Sequence, residues 1–201
     1  MILNHVEKAM MNNPIRSYIQ KNIEANSLLE MGGRMSGGIA LEVGCGQGVG
    51  VEIILNHFGA DRVDAFDLDH RMVTRAQKRL KKYADRVNCF VGDVTEISAQ
   101  DNYYDAVFDF GIIHHVPNWR KALEEVFRVL KPGGIFYAEE VFDKFILNPV
   151  WKFLLDHPLE DRFNQTRFIQ GLEACGFHVM RSLHLWQLFG WFVAKKEHFE
   201  A

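Results

Sequence analysis

Cysteine is scarce in this chain, charge of either sign is nearly balanced, and long apolar runs are missing. Cys45, Cys89 and Cys175 are its three thiols among 201 residues, and no two share a Cys-x-x-Cys spacing. That spacing offers no zinc framework, and so few cysteines suit a reducing compartment. The opening residues, Met1-Ile2-Leu3-Asn4-His5-Val6-Glu7-Lys8, lack the apolar core of a secretory leader. Nor is there a run of the ~18 apolar residues that a spanning helix needs. A soluble, cytoplasmic protein without stable membrane insertion is therefore expected. Set against 26 acidic side chains, 23 basic ones leave a formal charge of −3 and no broad field for a phosphate backbone, so no nucleic-acid partner is expected. Nine histidines are scattered without ligand spacing, and no metal is expected.

What is present is ordinary globular material, 48% hydrophobic and 24% charged, enough for one domain with some decoration. Pro14 to Met31 carries Ile15, Tyr18, Ile19, Ile23, Leu28 and Leu29 at near-helical spacing and reads as a leading helix. Strands and helices then alternate. Strands are predicted over Ile39–Val43, Arg62–Phe66, Arg86–Val91, Tyr104–Ile113 and Ile135–Phe142, and helices over Val49–Phe58, Arg71–Ala84, Trp119–Leu130 and Phe168–Cys175. The basic run Arg75, Lys78, Arg79, Lys81, Lys82 reads as a solvated helix face. Lys131-Pro132-Gly133-Gly134 reads as a stop between helix and strand, and Phe177–Leu185 with Gly190–Lys195 as a closing strand pair. Such alternation implies crossover units and a mainly parallel sheet covered on both faces. Ligands of such sheets bind beyond the carboxyl ends of the strands.

The strongest local signal is Glu42-Val43-Gly44-Cys45-Gly46-Gln47-Gly48-Val49-Gly50, where the first strand turns into a helix. Glycines there let the backbone approach a ligand closely, and the following amides favour an anionic group. The register is not that of a dinucleotide fingerprint: counted from Gly44 the third glycine falls on Val49, and from Gly46 on Val51. Asp67 follows 25 residues after Glu42, at the end of the second strand. A carboxylate at that point accepts hydrogen bonds from vicinal ribose hydroxyls. Turn and acid together point to an adenosine-bearing cofactor.

From about Gly38 to Gly176 the chain resembles the class I S-adenosylmethionine-dependent methyltransferases, in particular those acting on small molecules such as ubiquinone and menaquinone precursors. Glu42 to Gly48 is similar to the family's acidic glycine-rich turn, Asp67 to its ribose-binding acid, and Gly92-Asp93-Val94 to the stretch whose aspartate meets the adenine amino group. Asp105 to Val116 is similar to the fourth-strand motif, and Leu130 to Gly134 to the turn before the fifth strand. The resemblance implies a three-layer, Rossmann-like α/β fold with seven strands, mostly parallel, ending in an antiparallel hairpin. It implies S-adenosylmethionine as cofactor, S-adenosylhomocysteine as product, and Glu42, Gly44, Gly46, Gly48, Asp67, Leu68, Asp93, Val94 and Asp109 as the cofactor-binding set. It also divides the chain into an N-terminal helical cap (1–37) and a methyltransferase domain (38–201), in which 143–165 could serve as a lid over an apolar acceptor.

Candidates for acid–base work come from the strand ends. His114 and His115 follow the fourth strand, and an imidazole there could take a proton from an acceptor; both could equally pack the loop. Asp109 is expected beside the methionine end of the cofactor as a binder. Glu139 and Glu140 end the fifth strand, from which they could reach the cleft, and a solvated strand end is expected. The quinone-methylating enzymes carry an Arg-Asn pair where this chain has His114-His115, which sets a quinone precursor in question. The adenine-methylating Asn-Pro-Pro-aromatic pattern is absent, since the strand runs Phe108-Asp109-Phe110-Gly111. A small-molecule methyltransferase is thus expected, with a non-catalytic binder of the same cofactor as the alternative.

Overall fold

The leading helix starts where the Asn13 side chain accepts from the Arg16 amide at 2.8 Å and Pro14 fills the first turn. The computed structural model describes residues 13–148 and 160–197. Helix α1 (Pro14–Ile19) runs through a π-helical stretch (Gln20–Glu24) into α2 (Ala25–Gly32). The wider turn shifts the phase of the side chains. Leu28 and Met31 of the second half are buried, whereas Ile15, Tyr18 and Ile23 are exposed. The single apolar stripe expected over Pro14–Met31 is therefore split in two by one turn of different pitch.

Strands β1 (Ile39–Val43), β2 (Arg62–Asp67), β3 (Val87–Val91), β4 (Tyr104–Phe110), β5 (Leu130–Val141), β6 (Phe177–Leu185) and β7 (Phe189–Lys196) form one sheet in the order β3-β2-β1-β4-β5-β7-β6. The first five are parallel, and β7 runs antiparallel to both β5 and β6. Between them lie α3 (Val49–Ile53), which continues as a π-helical stretch (Ile54–Phe58), α4 (His70–Arg79) with a 3-10 extension (Leu80–Tyr83), and α5 (Trp119–Val129). A short α6 (Asp143–Ile146) follows β5, and α7 (Gln165–Ala174) precedes β6. Asn164 caps α7 by accepting from the Arg167 amide, so this helix starts three residues earlier than its apolar pattern alone suggests.

The sheet is covered on both faces. Leu28, Ile54, Phe58, Ala76 and Leu80 pack one side, and Trp119, Leu123, Val126, Phe168 and Leu172 the other. The outward side chains of α4 are exposed, as the basic face predicts. One expectation fails at β5. Residues 131–134 do not lie outside the strand: Tyr104 pairs with Leu130 and Ala106 with Ile135, so the Lys-Pro-Gly-Gly segment forms a wide bulge within it. Asp105 fastens this bulge, accepting from Lys131 Nζ at 2.7 Å and from the Ile39 amide at 2.8 Å.

Strand order reverses between β1 and β4, and a cleft of about 390 Å³ opens there beyond the strand ends. Residues 149–159 of the 143–165 segment, expected as a lid, lie outside the described residues; of the part described, Asp143–Ile146 is helical.

Candidate functional site

The floor of the cleft is the glycine turn after β1. Gly44 (φ 68°) is packed so tightly that a Cβ would lie 2.4 Å from Ile112 Cγ2. Gly46 (φ 50°) is the opposite case, since a Cβ there meets nothing within 4 Å among the described residues, and Gly46 lines the cleft. The turn is held by β2. The Cys45 amide donates to the Phe66 carbonyl at 2.8 Å, and the Gly46 amide donates to Asp67 Oδ2 at 2.9 Å. Asp67 Oδ1 accepts from the Asp69 amide at 2.8 Å, and Asp69 in turn caps α4 through the Arg71 amide. A carboxylate offers about four lone-pair directions, so two amide donors are compatible with a diol donating to Asp67 as well.

Of the expected cofactor set, Glu42, Gly44, Gly46, Asp67, Leu68, Asp93 and Val94 line the cleft. Leu68 is exposed on one wall, and Val94 is buried on the other. Asp93 Oδ1 is engaged by its own turn, accepting from the Thr95 amide and hydroxyl, each at 2.8 Å. Gly48 and Asp109 do not line the cleft. Gly48 packs against α4, where a Cβ would come within 2.8 Å of Leu80 Cδ1. Asp109 is fully buried behind the wall, its Oδ1 accepting from the Ile112 amide at 2.8 Å. It shapes the loop after β4 and does not reach the cleft itself.

The two histidines also part company. The chain after Ile112 winds into a 3-10 turn (Ile113–His115), so the opposite-facing geometry of a continuing strand does not apply. His115 lines the cleft; His114 stacks on it with ring centroids 4.2 Å apart and turns away toward β5. Glu140 receives that turn. Its Oε1 accepts from the Ile113 amide at 2.9 Å, and its Oε2 accepts from the His114 amide at 3.1 Å and lies 2.6 Å from His114 Nδ1.

Glu139 and Glu140 were expected at a solvated strand end and are both buried. The reason is tertiary: the 3-10 turn covers one, and the leading helix covers the other. Arg16 pairs with Glu24 and places Nη2 3.6 Å from Glu139 Oε1. Arg16 and Gln20 also line the cleft. Neither stands out in the sequence, because only the packing of α1 against the end of β5 brings them there.

Burial drives the electrostatics of this wall. It pushes the Glu140 carboxyl up to about 7, against the pull of its hydrogen-bond donors. Asp109 is raised by burial and by Glu140 beside it, Glu139 by burial and by Glu24, and Glu42 by burial and by Cys89 and Asp67. These acids hold their protons to higher pH in the folded chain than an unfolded carboxyl at ~4 would. Stabilisation from such raised carboxyls is complete below that value and is lost as pH climbs through the folded-state value, which for Glu140 is about 7. The urea midpoint should therefore fall between pH 5 and pH 8, with Glu140 alone accounting for on the order of 3 kcal/mol. A midpoint that stays level or rises over this interval contradicts the assignment.

A family model described as a methyltransferase domain matches residues 41–138, the span from β1 into β5. Over 150 residues the chain is 30% identical to a "Probable S-adenosylmethionine-dependent methyltransferase" of Mycolicibacterium smegmatis, covering 75% of this chain and 56% of that protein. It is 36% identical over 135 residues to the demethylmenaquinone methyltransferase of Leptospira interrogans, covering 64% of this chain and 54% of the relative. The chain thus spans about half the length of the curated relatives it matches. Among solved structures, a SAM-dependent methyltransferase from Aquifex aeolicus superposes with a TM-score of 0.74 at 21% identity, covering 94% of this chain and 97% of that one, a likeness of fold. Sequence, sheet order and the glycine turn agree: residues 41–138 match a methyltransferase domain, in a chain similar to the S-adenosylmethionine-dependent methyltransferases.

Proposed function

We propose that the protein transfers a methyl group from S-adenosylmethionine to a small acceptor with an apolar body. The observation that carries this is the open space over Gly46 beside the Asp67 carboxylate, a cradle that a single Cβ would fill. When bound, the cofactor supplies an electrophilic methyl carbon on a sulfonium, so the protein's task is placement.

In this reading Asp67 receives the ribose hydroxyls, Asp93 meets the adenine amino group, and Leu68 and Val94 take the adenine faces. Glu42 and the turn Gly44–Gly48 complete the cofactor side, with Asp109 acting through the loop it holds. The acceptor side is walled by Phe110, Ile112, Val116 and Pro117, an apolar surface suited to excluding water. Helices α1 and α2 serve as the cap over the domain that begins at residue 38, contributing Arg16 and Gln20. His115 accepts the acceptor's proton, and His114, held by Glu140, is a positioning residue. The relative that acts on demethylmenaquinone favours an acceptor of quinol type, despite the His-His pair.

Incubation with methyl-labelled cofactor and a panel of prenylated quinols, sterols and phenols tests the proposal by transfer of label. Cofactor binding without label transfer to any of them would favour the non-catalytic alternative. With a turned-over acceptor, His115→Asn should lower kcat by ~10²–10⁴ while leaving cofactor affinity unchanged. An unaltered kcat removes His115 from proton transfer.

A further inference from the structure

The large apolar side chains that stay exposed gather at one edge of the sheet. β6 runs antiparallel to β7, and β7 antiparallel to β5, so β6 ends at the same edge as β5, with Leu185 level with Val141. The cofactor cleft opens on that edge. Val91 ends β3, Leu68 follows β2, Leu147 follows β5 and α6, and Leu185 and Trp186 close β6; all five are exposed. Ile15 and Tyr18 join them from α1, whose Arg16 reaches the end of β5. Ile23 follows Tyr18 by five residues, one turn at the pitch of the π-helical stretch, and keeps to the same outward stripe. Among the described residues, no exposed large apolar side chain lies at the amino ends of the parallel strands.

The loop between β6 and β7 holds one of these side chains out against local preference. It is closed by the Leu188 amide, which donates to the Leu185 carbonyl at 2.9 Å. Its Trp186 (φ 53°) and Gln187 (φ 58°) both take the left-handed region, as in a type I′ turn, where glycine, asparagine or aspartate is favoured. Packing offers no compensation, because 74% of Trp186 is accessible. A break with local preference that the fold does not use points to a use outside the fold.

We propose that this edge is a docking surface for a phospholipid bilayer with anionic headgroups, which sets the mouth of the cleft against the lipid. Trp186 and Tyr18 combine an apolar body with one polar atom, the character that suits the boundary between headgroups and acyl chains. Cations accompany the apolar side chains: Lys21 lies between Tyr18 and Ile23, His70 and Arg71 follow Leu68, and Lys144 precedes Leu147 by three residues, all exposed. Asp69, between Leu68 and His70, is buried as the cap of α4. The exposed acids Asp93, Glu96 and Glu160 keep to the β3 end and to the approach to α7. From Leu68 to Trp186 the contacts spread across the sheet from β2 to β6, about 24 Å at the usual strand spacing. Separate protrusions over that width fit a fluid surface that closes around each one, whereas a rigid partner would need a matching pit for every side chain. The contact is peripheral: among the described residues no helix is long and apolar enough to cross a membrane. Docking rests on this surface alone; delivery of an apolar acceptor from the bilayer into the cleft rests on the function proposed above.

The full chain is floated with vesicles of phosphatidylcholine, with and without phosphatidylglycerol. Capture by the mixed vesicles is expected, weakened by high salt. Trp186→Asn places a favoured residue in the left-handed turn, so its thermal midpoint should hold or rise while capture falls by roughly tenfold. Tyr18→Ser, on a different element, should lower capture independently. A wild-type chain left unbound by both vesicles overturns the proposal, as does capture unchanged in both variants. A dimer that forms without vesicle capture and is lost in Trp186→Asn assigns the edge to a second copy of the chain and overturns it too. Vesicle capture with no label transfer to any acceptor would instead count against the function proposed above.

Discussion

Gly46→Val is expected to abolish S-adenosylmethionine binding in a chain that still folds. Both halves of that result come from the surroundings of one carbon. Among the described residues no atom beyond the chain neighbours lies within 4 Å of the Cβ position, so the branch point of the valine side chain enters open space. Its cost is the left-handed backbone at φ 50°, roughly 1–2 kcal/mol for an L-residue, against a typical stability of about 5–15 kcal/mol. On the proposed reading the same three carbons stand where the cofactor approaches the turn, and a loss of at least about 100-fold, on the order of 3 kcal/mol, is expected by calorimetry. Gly44→Val is the contrasting control, since its Cβ would run into Ile112 and unfolding is expected there. Tight binding by a folded Gly46→Val chain would refute close approach of the ligand to the main chain.

Asp67→Ala is the second large effect, and it acts twice. The variant loses the charge-assisted acceptor proposed for the ribose, worth ~1.5–3 kcal/mol in cofactor affinity. It also strands the Gly46 and Asp69 amides that Asp67 now accepts, so the turn and the start of α4 lose their common tether. Calorimetry should show affinity down by ~10–150-fold, and urea unfolding a lower midpoint. Asp67→Asn separates the two roles: one amide oxygen keeps a backbone donor, but the charge and the second acceptor are gone. Affinity unchanged in both variants would remove the ribose assignment.

Features carried by short stretches of chain were legible in the sequence. The alternation of strands and helices, the glycine turn, the acid ending β2 and the closing hairpin all follow from spacing within a few residues. Features created by packing were not. Nothing in the apolar spacing of Pro14–Met31 marks a π-helical stretch, yet that stretch decides which of its apolar side chains face solvent. Glu139 and Glu140 look like a polar strand end until the 3-10 turn and α1 close over them. Arg16 is one cation on an otherwise unremarkable helix, and only the end of β5 gives it a place at the cleft. The bulge at residues 131–134 reads locally as a stop because proline and glycine end helices as readily as they interrupt strands.

The grip of Glu140 on the turn after β4 bears on which acceptors the proposed activity could be turned to. Two amides and one imidazole nitrogen from two consecutive residues converge on one buried carboxyl, so the wall carrying His115 is riveted to the centre of the sheet. Such a wall is pre-organised: it pays little ordering entropy when a ligand arrives, and it adapts poorly to a ligand of another shape. The opposing wall comes from a helix with exposed apolar residues and a turn of unusual pitch. One jaw is an anvil and the other is adjustable, so new acceptors should be won by changes along Pro14–Glu24, with the turn beneath His115 left alone.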